Sequence, residues 1–246
     1  MLQKQFSLGI ATLITISFLL SGCSMLHPLK KPDIGPAGKP VETKANPPFV
    51  ERFTSPPAEL YDLEATAGGI FEGICNKKWA QAEQGLTTLR ALWLETLPKI
   101  GDKKGTTGAN EALEQLTTAI TNKKDVDSYQ SLTKFMSSIS DIGKSYKLSP
   151  LSDIIGVSNG IRTVTFYVEN NDWRKAIAKM KELESTWQQA KPNMESVGIW
   201  SKLTTTHSVI NQMKGAIEAE NKASVEENIA DINESMGYIR EYYRGK

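Results

Sequence analysis

Few side chains in this sequence have the chemistry of a catalytic or metal-binding site. Its 246 residues include two histidines, His27 and His207, and two cysteines. No spacing occurs that is typical of a zinc peptidase, a c-type haem protein, a thiol redox pair, a phosphate-binding loop or a serine hydrolase. With 29 basic and 28 acidic residues, the chain also lacks the basic excess of a nucleic-acid-binding protein. We therefore expect no enzyme, no metal or cofactor site and no nucleic-acid partner.

Cys23 is the cysteine for which the sequence suggests a modification, because it follows a hydrophobic N-terminal segment. Lys4 precedes the apolar run Phe6–Leu20, which is marginal as a permanent membrane helix because about 20 residues are needed to cross a bilayer. The run ends in Leu20-Ser21-Gly22-Cys23, which resembles the lipobox of bacterial lipoproteins. That resemblance implies a signal peptide over 1–22, a diacylglyceryl thioether on Cys23 and a lipid-anchored protein outside the cell membrane. A plain signal peptide or membrane anchor with an incidental cysteine is the alternative.

The segment 23–57 is predicted to be a linker. Eight of the 11 prolines fall between Pro28 and Pro57, and no apolar periodicity appears over most of this stretch. Such a composition favours an extended, semi-rigid chain without a core of its own. We therefore expect the folded part of the protein to begin near residue 58.

Beyond the linker, apolar residues recur at the spacing of amphipathic helices, and no stretch alternates as a strand does. The hydrophobic positions of 58–147 reappear in 148–246 at an offset of 94 residues and, near the end, of 97. The sequence predicts an all-α protein of about eight helices, arranged as two tandem, duplicated four-helix units that form helical bundles. The doublet Gly68-Gly69 lies inside a helical pattern, which favours close packing or a kink over a phosphate site.

Two pairs of tryptophans are the sharpest feature of the repeat. Trp79 and Trp93 lie 14 residues apart, and Trp173 and Trp187 repeat that spacing 94 residues later. This separation corresponds to about 21 Å along an α-helix, so both members of a pair lie on one face. Aliphatic residues between them continue the same stripe, which favours a place in the core. A ligand-stacking platform is the alternative.

His207 and Cys75 are also candidate core residues. His207 shares a helical stripe with Leu203 and Ile210, where a histidine is more often a hydrogen-bonded packing residue than a ligand. Cys75 stands at a predicted helix end and has the character of a small buried hydrophobe more than of a reactive thiol. If Cys23 is acylated, Cys75 has no partner for an intramolecular disulfide.

Four features of the second unit carry a resemblance: Asn171-Asp172-Trp173-x-x-Ala176, then Trp187, then a helix with His207 before Ile210, and a final amphipathic helix. Together they resemble a family of uncharacterised, membrane-anchored helical proteins from Gram-positive bacteria. The resemblance implies an extracytoplasmic helical module and supplies no catalytic residue. In the first unit, the offset of 94 places Leu113 opposite His207, so the histidine has no counterpart there.

These features predict a lipid-anchored, extracytoplasmic helical protein that acts as a non-catalytic interaction or scaffold module at the cell envelope. Its expected partners are the membrane, through lipidated Cys23, and an envelope protein. The alternative is a lipoprotein that binds a small apolar or amphipathic ligand between its helical units, with the four repeated tryptophans near the cavity.

Overall fold

The structure is a computed structural model, and it describes residues 54–245. This range contains α-helices, two short 3-10 helices and no strand, so the predicted all-α class is confirmed. The signal segment 1–22, Cys23 and the linker up to residue 53 lie outside the described residues. In chain order the eight α-helices of the range are α1 (Ala58–Cys75), α2 (Trp79–Ile100), α3 (Thr106–Thr121), α4 (Asp125–Gly143), α5 (Leu151–Glu169), α6 (Trp173–Ala190), α7 (Trp200–Glu218) and α8 (Lys222–Arg244).

Four three-residue turns, one after each odd-numbered helix, have the same backbone geometry. The middle residue of each turn has a left-handed φ between 52° and 55°: Lys77, Lys123, Asn171 and Glu220. The next residue donates its N–H to the carbonyl five positions back, as Lys78 does to Gly73 at 2.8 Å, which closes the helix C-terminus. Lys77 and Asn171 are 94 residues apart, and Lys123 and Glu220 are 97 apart. The turns thus recur at the same two offsets as the sequence pattern. The duplication of a four-helix unit stays a prediction.

The eight helices of the described range form two four-helix rings. Helices α1 to α4 pack each on the next, and α4 closes the first ring on α1. Helices α5 to α8 form the second ring in the same way. Short connections make consecutive helices antiparallel. The rings meet where α5 packs on α4 and α1 and where α8 packs on α1, and one continuous apolar core runs through both.

Alternating helix directions give this part of the molecule two ends. We call the end at which the described chain begins, at Thr54, the proximal end, and the end with the four three-residue turns the distal end. Side-chain contacts join the helix termini at the proximal end. Lys99 Nζ lies 2.5 Å from Glu59 Oε1, and Arg244 binds the Asp62 carboxylate through two nitrogens, at 2.5 and 3.0 Å. The first two turns of α1 are thereby fixed to the ends of α2 and α8.

Candidate functional site

The second tryptophan of each pair lies in the core. Trp93 is 2% exposed and Trp187 is 1% exposed. The indole N–H of Trp93 donates to Asn110 Oδ1 at 2.7 Å, and that of Trp187 donates to His207 Nδ1 at 3.1 Å. Each indole therefore links a long helix to the helix that follows it, through packing and one hydrogen bond.

The first tryptophan of each pair begins a helix at the distal end. Trp79 and Trp173 are half-buried and pack against the core from the starts of α2 and α6. Trp93 borders a groove of about 520 Å³ between α2 and α3, but its ring is buried. None of the four tryptophans lines the groove between the two rings that is described below. The arrangement favours packing over a ligand-stacking platform.

His207 has a counterpart in the first ring, and it is Asn110. Trp93 and Asn110 are 17 residues apart, whereas Trp187 and His207 are 20 apart. Three additional residues before His207 change the offset from 94 to 97. The alignment of His207 with Leu113, made at the offset of 94, is therefore wrong.

The His207 ring serves as a hydrogen-bond acceptor. Because Nδ1 accepts the indole proton of Trp187, a neutral imidazole carries its own proton on Nε2. Nε2 lies 3.4 Å from the side-chain amide of Asn211 on the next helical turn, where only the amide oxygen can accept a hydrogen bond from the Nε2 proton. Within residues 54–245, no three His, Cys, Asp or Glu side chains are grouped so that they could hold a metal ion. The contacts of His207 are those of a packing residue.

Cys75, the last residue of α1, holds a protonated thiol. Burial raises the pKa of this thiol to about 12, and the negative charges of Glu169 and Asp125 add to the effect. The thiolate is the reactive form of cysteine. At neutral pH the Cys75 side chain is therefore a weak nucleophile, in keeping with its place beside the core.

A groove lies on the boundary between the two rings, between α1, α5 and α8. We call it the inter-ring groove; it has a volume of about 400 Å³. On the α1 side, a Cβ atom added at Gly68 or Gly69 would meet nothing within 4 Å. Close packing at this doublet, an expectation from the sequence, is therefore wrong, and the two glycines leave open space instead. The large apolar side chains in the walls of the groove are Phe71, Ile161, Ile229 and Met236.

The proximal part of the groove contains a buried ion cluster. Glu64 of α1 is 3% exposed; Arg162 Nη1 lies 3.1 Å from its Oε1, and Arg240 Nη1 lies 2.8 Å from its Oε2. Burial alone would raise the pKa of the Glu64 carboxyl, but the two guanidinium groups outweigh burial and hold that pKa below its usual value. Arg162 also donates to Asn159 Oδ1 at 2.8 Å. The cluster joins the two rings and carries a net positive charge.

The distal part of the groove is acidic. Glu72 and Glu169 line it together with Asn76 and Asn233. Lys222 of α8 lies 2.8 Å from Glu169 Oε2 and offsets one of the two negative charges. The groove therefore combines a positive end, apolar walls and a negative end, which suits an amphipathic or dipolar small molecule.

The two sides of the ring boundary are filled differently. Between α4 and α5, Tyr129 stacks on Phe166 with ring centroids 4.0 Å apart. The offsets of 97 and 94 map these residues onto Glu226 of α8 and Glu72 of α1. Two carboxylates cannot form such a stacked pair, and Glu72 lines the inter-ring groove instead. This departure from the repeat is the sequence signal that would have located the groove.

No family model, curated protein or solved structure matches this chain. Across residues 54–245, none of the helices has the length and apolar character needed to cross a membrane. The resemblance to bacterial lipoproteins and to the Gram-positive family stays a prediction.

Proposed function

We propose that this protein is a lipid-anchored, non-catalytic module that acts in protein interaction or as a scaffold on the outer side of the cell membrane. One observation carries the proposal: reactive side chains in the described residues are engaged in the fold. The Cys75 thiol is protonated, the His207 ring accepts a hydrogen bond from the indole N–H of Trp187, and Glu64 bridges two arginines. The Leu20-Ser21-Gly22-Cys23 sequence supports the lipid anchor.

The two cysteines offer a matched test of the anchor. Cells that express wild-type protein, Cys23→Ser or Cys75→Ser are fed a palmitate analogue that can be tagged after lysis, and their membranes are sedimented. We expect wild-type protein and Cys75→Ser to carry the label and to sediment with membranes. Cys23→Ser should carry no label. It should leave the membrane fraction if its signal segment is cleaved, and it should remain there without lipid if the segment is retained. A labelled Cys23→Ser protein would contradict the proposal.

The interaction role is tested by proximity labelling in intact cells. A labelling enzyme fused to the C-terminus is compared with the same enzyme attached directly to residues 1–57. We expect a defined set of envelope proteins to be labelled more strongly when residues 58–246 are present. Equal labelling by both fusions would contradict an interaction role of the helical part.

A second candidate function is the binding of an amphipathic ligand in the inter-ring groove. The observation in its favour is the combination of apolar walls with Arg240 near one end and Glu72 near the other. Charged groups at the ends fix the orientation of a ligand, and apolar walls supply the burial that holds it.

Two glycines provide a matched test of this second function. Gly68 lines the groove, whereas Gly215 lies on α7 outside its lining, and a Cβ atom at either position meets nothing within 4 Å. The probe is 1-anilinonaphthalene-8-sulfonate, an anionic aromatic dye whose emission rises in apolar surroundings. We expect Gly68→Phe to weaken saturable dye binding by at least about tenfold, or about 1.4 kcal/mol, and Gly215→Phe to leave it unchanged. Equal binding by both variants would exclude the groove as the dye site.

A further inference from the structure

The two ends of the described fold differ in their exposed apolar surface. The distal turns are built from asparagine, lysine, acidic residues and one alanine. At the proximal end, Leu148 in the α4–α5 connection is 73% exposed, and Trp200 at the start of α7 is 54% exposed. Leu94 and Tyr238, also exposed, each lie six residues from a proximal helix terminus, or about 9 Å along the helix. Val126, at the start of α4, is the exposed large hydrophobic of the distal end, at 46%. Single exposed hydrophobics are ordinary, but four of these five side chains lie toward the proximal end, and the two at its connections are among the three most exposed.

The exposed aromatic rings at this end lie beside lysines. Lys191 Nζ lies 5.5 Å from the centroid of the Trp200 ring, and Lys202 Nζ lies 5.4 Å from that of Tyr238. Tryptophan and tyrosine are enriched at membrane–water interfaces, where the ring sits at headgroup level. A neighbouring lysine can then meet the phosphate of an anionic lipid.

The proximal connections add to the positive charge of this surface. The segments 101–105, 144–150 and 191–199 contain five lysines and two acidic residues, a net charge of +3. Lys104, Lys144 and Lys147 are exposed, and Lys144 also lies 2.7 Å from Asp141 Oδ1 in the last turn of α4. Positive charge around exposed apolar side chains is the complement of an anionic bilayer surface.

We propose that the proximal end docks on the anionic headgroup surface of the membrane, with Leu148 and Trp200 in the interface and the surrounding lysines on lipid phosphates. The proposal rests on the proposed function, because the lipid anchor at Cys23 supplies the membrane. Residue 54 joins the fold at this same end. The 31 residues from 23 to 53 span at most about 110 Å, which keeps the surface at a high effective concentration near the bilayer.

The test uses the full, lipidated protein reconstituted in vesicles of phosphatidylcholine and phosphatidylglycerol. Lipids with brominated acyl chains quench the emission of tryptophans that enter the interface. Trp200→Phe removes the proximal indole, and Trp173→Phe removes one at the distal end as a matched control. We expect brominated lipid to quench wild-type protein and Trp173→Phe, and Trp200→Phe to lose most of this quenching.

Flotation of the vesicles separates docking from anchoring. Protein that does not float with the vesicles contradicts the proposed anchor. Protein that floats but shows no quenching, or equal quenching in Trp200→Phe and Trp173→Phe, overturns the docking proposal alone. Leu148→Ser provides a second variant, and it should reduce the quenching of Trp200 if both side chains enter the same interface.

Discussion

The two rings have the same arrangement of four helices, but different side chains accept the hydrogen bond of the buried tryptophan in each. Trp93 donates to an amide oxygen of Asn110, and Trp187 donates to an imidazole nitrogen of His207. The acceptor is an amide oxygen in one ring and an imidazole nitrogen in the other, so the two groups share this acceptor role although their acid–base chemistry differs. This position therefore needs an acceptor for the indole N–H, which favours a packing role of His207.

The boundary between the rings shows a second contrast. The ion cluster of Glu64 with Arg162 and Arg240 has no equivalent on the α4–α5 side, because the offsets place Gly68 opposite Arg162 and Gly143 opposite Arg240. At Gly143 a Cβ atom would lie 3.2 Å from a backbone nitrogen of α5, so the helices approach closely there. One side of the boundary is closed by packing, and the other is held by charges around an open groove.

The largest expected effect tests whether the two rings are equivalent. Trp93→Ala and Trp187→Ala each remove a fully buried indole and should lower the free energy of unfolding by about 3–5 kcal/mol. Urea denaturation followed by circular dichroism measures the loss. Trp200→Ala, at an exposed position, serves as the control and should change stability by less than about 0.5 kcal/mol. A large loss of stability from only one of the two substitutions would show that the rings are not equivalent.

The ion cluster should contribute nearly as much. Glu64→Ala leaves Arg162 buried without its counter-charge, and breaking a buried pair typically costs about 3–5 kcal/mol. Asp62→Ala, two residues earlier, removes a partly exposed partner of Arg244 and should cost at most about 1 kcal/mol. The same urea titration compares the two variants. Equal losses would show that the groove side of the boundary does not depend on buried charge.

The stability that Glu64 supplies should depend on pH. Its pKa in the folded protein lies below the unfolded value of about 4.3. The contribution is therefore present above pH ~4.3 and is lost as the pH falls through the folded pKa. Glu64→Gln mimics the protonated carboxyl, so the stability difference between it and the wild-type protein should shrink on acidification. A difference that stays constant from pH 7 to the acid transition would contradict this account.

A smaller effect tests the exchange of acceptors between rings. His207→Asn places the first-ring acceptor type in the second ring and should cost less than about 1 kcal/mol. His207→Leu leaves the buried indole N–H of Trp187 without an acceptor and should cost about 1–3 kcal/mol. Thermal unfolding of the two variants measures the difference. If His207→Asn is as damaging as His207→Leu, the two acceptors are not interchangeable.

The smallest effect concerns the glycines of α1. Gly68→Ala should stabilise the protein by about 0.5–1 kcal/mol, because alanine favours a helix and its Cβ has open space. Gly73→Ala is the control on the same helix, since its Cβ would lie 2.8 Å from the backbone nitrogen of Ala82 and should destabilise. A loss of stability in Gly68→Ala would show that the groove is less open than described.

The helices could be predicted from the sequence because they depend on the local spacing of apolar residues. The duplication inferred from the recurrence of that spacing stays a prediction. The periodic apolar residues and the fixed distance between Trp79 and Trp93 are visible in the chain itself. The groove and the ion cluster depend on which helices meet, and Glu64 and Arg240 are 176 residues apart. The Asn110 partner of Trp93 was missed for a related reason: three additional residues before His207 change the register.

The intact mass of the protein extracted from cell membranes tests the proposed anchor most directly. We predict a chain that begins at Cys23 and is 22 residues shorter than the 246-residue sequence. Its mass should exceed that of the peptide by a diacylglyceryl group. Digestion should place that group on the N-terminal peptide, with Cys75 unmodified. A full-length chain, or a chain with a free Cys23 thiol, would contradict the lipid anchor on which the proposed function depends.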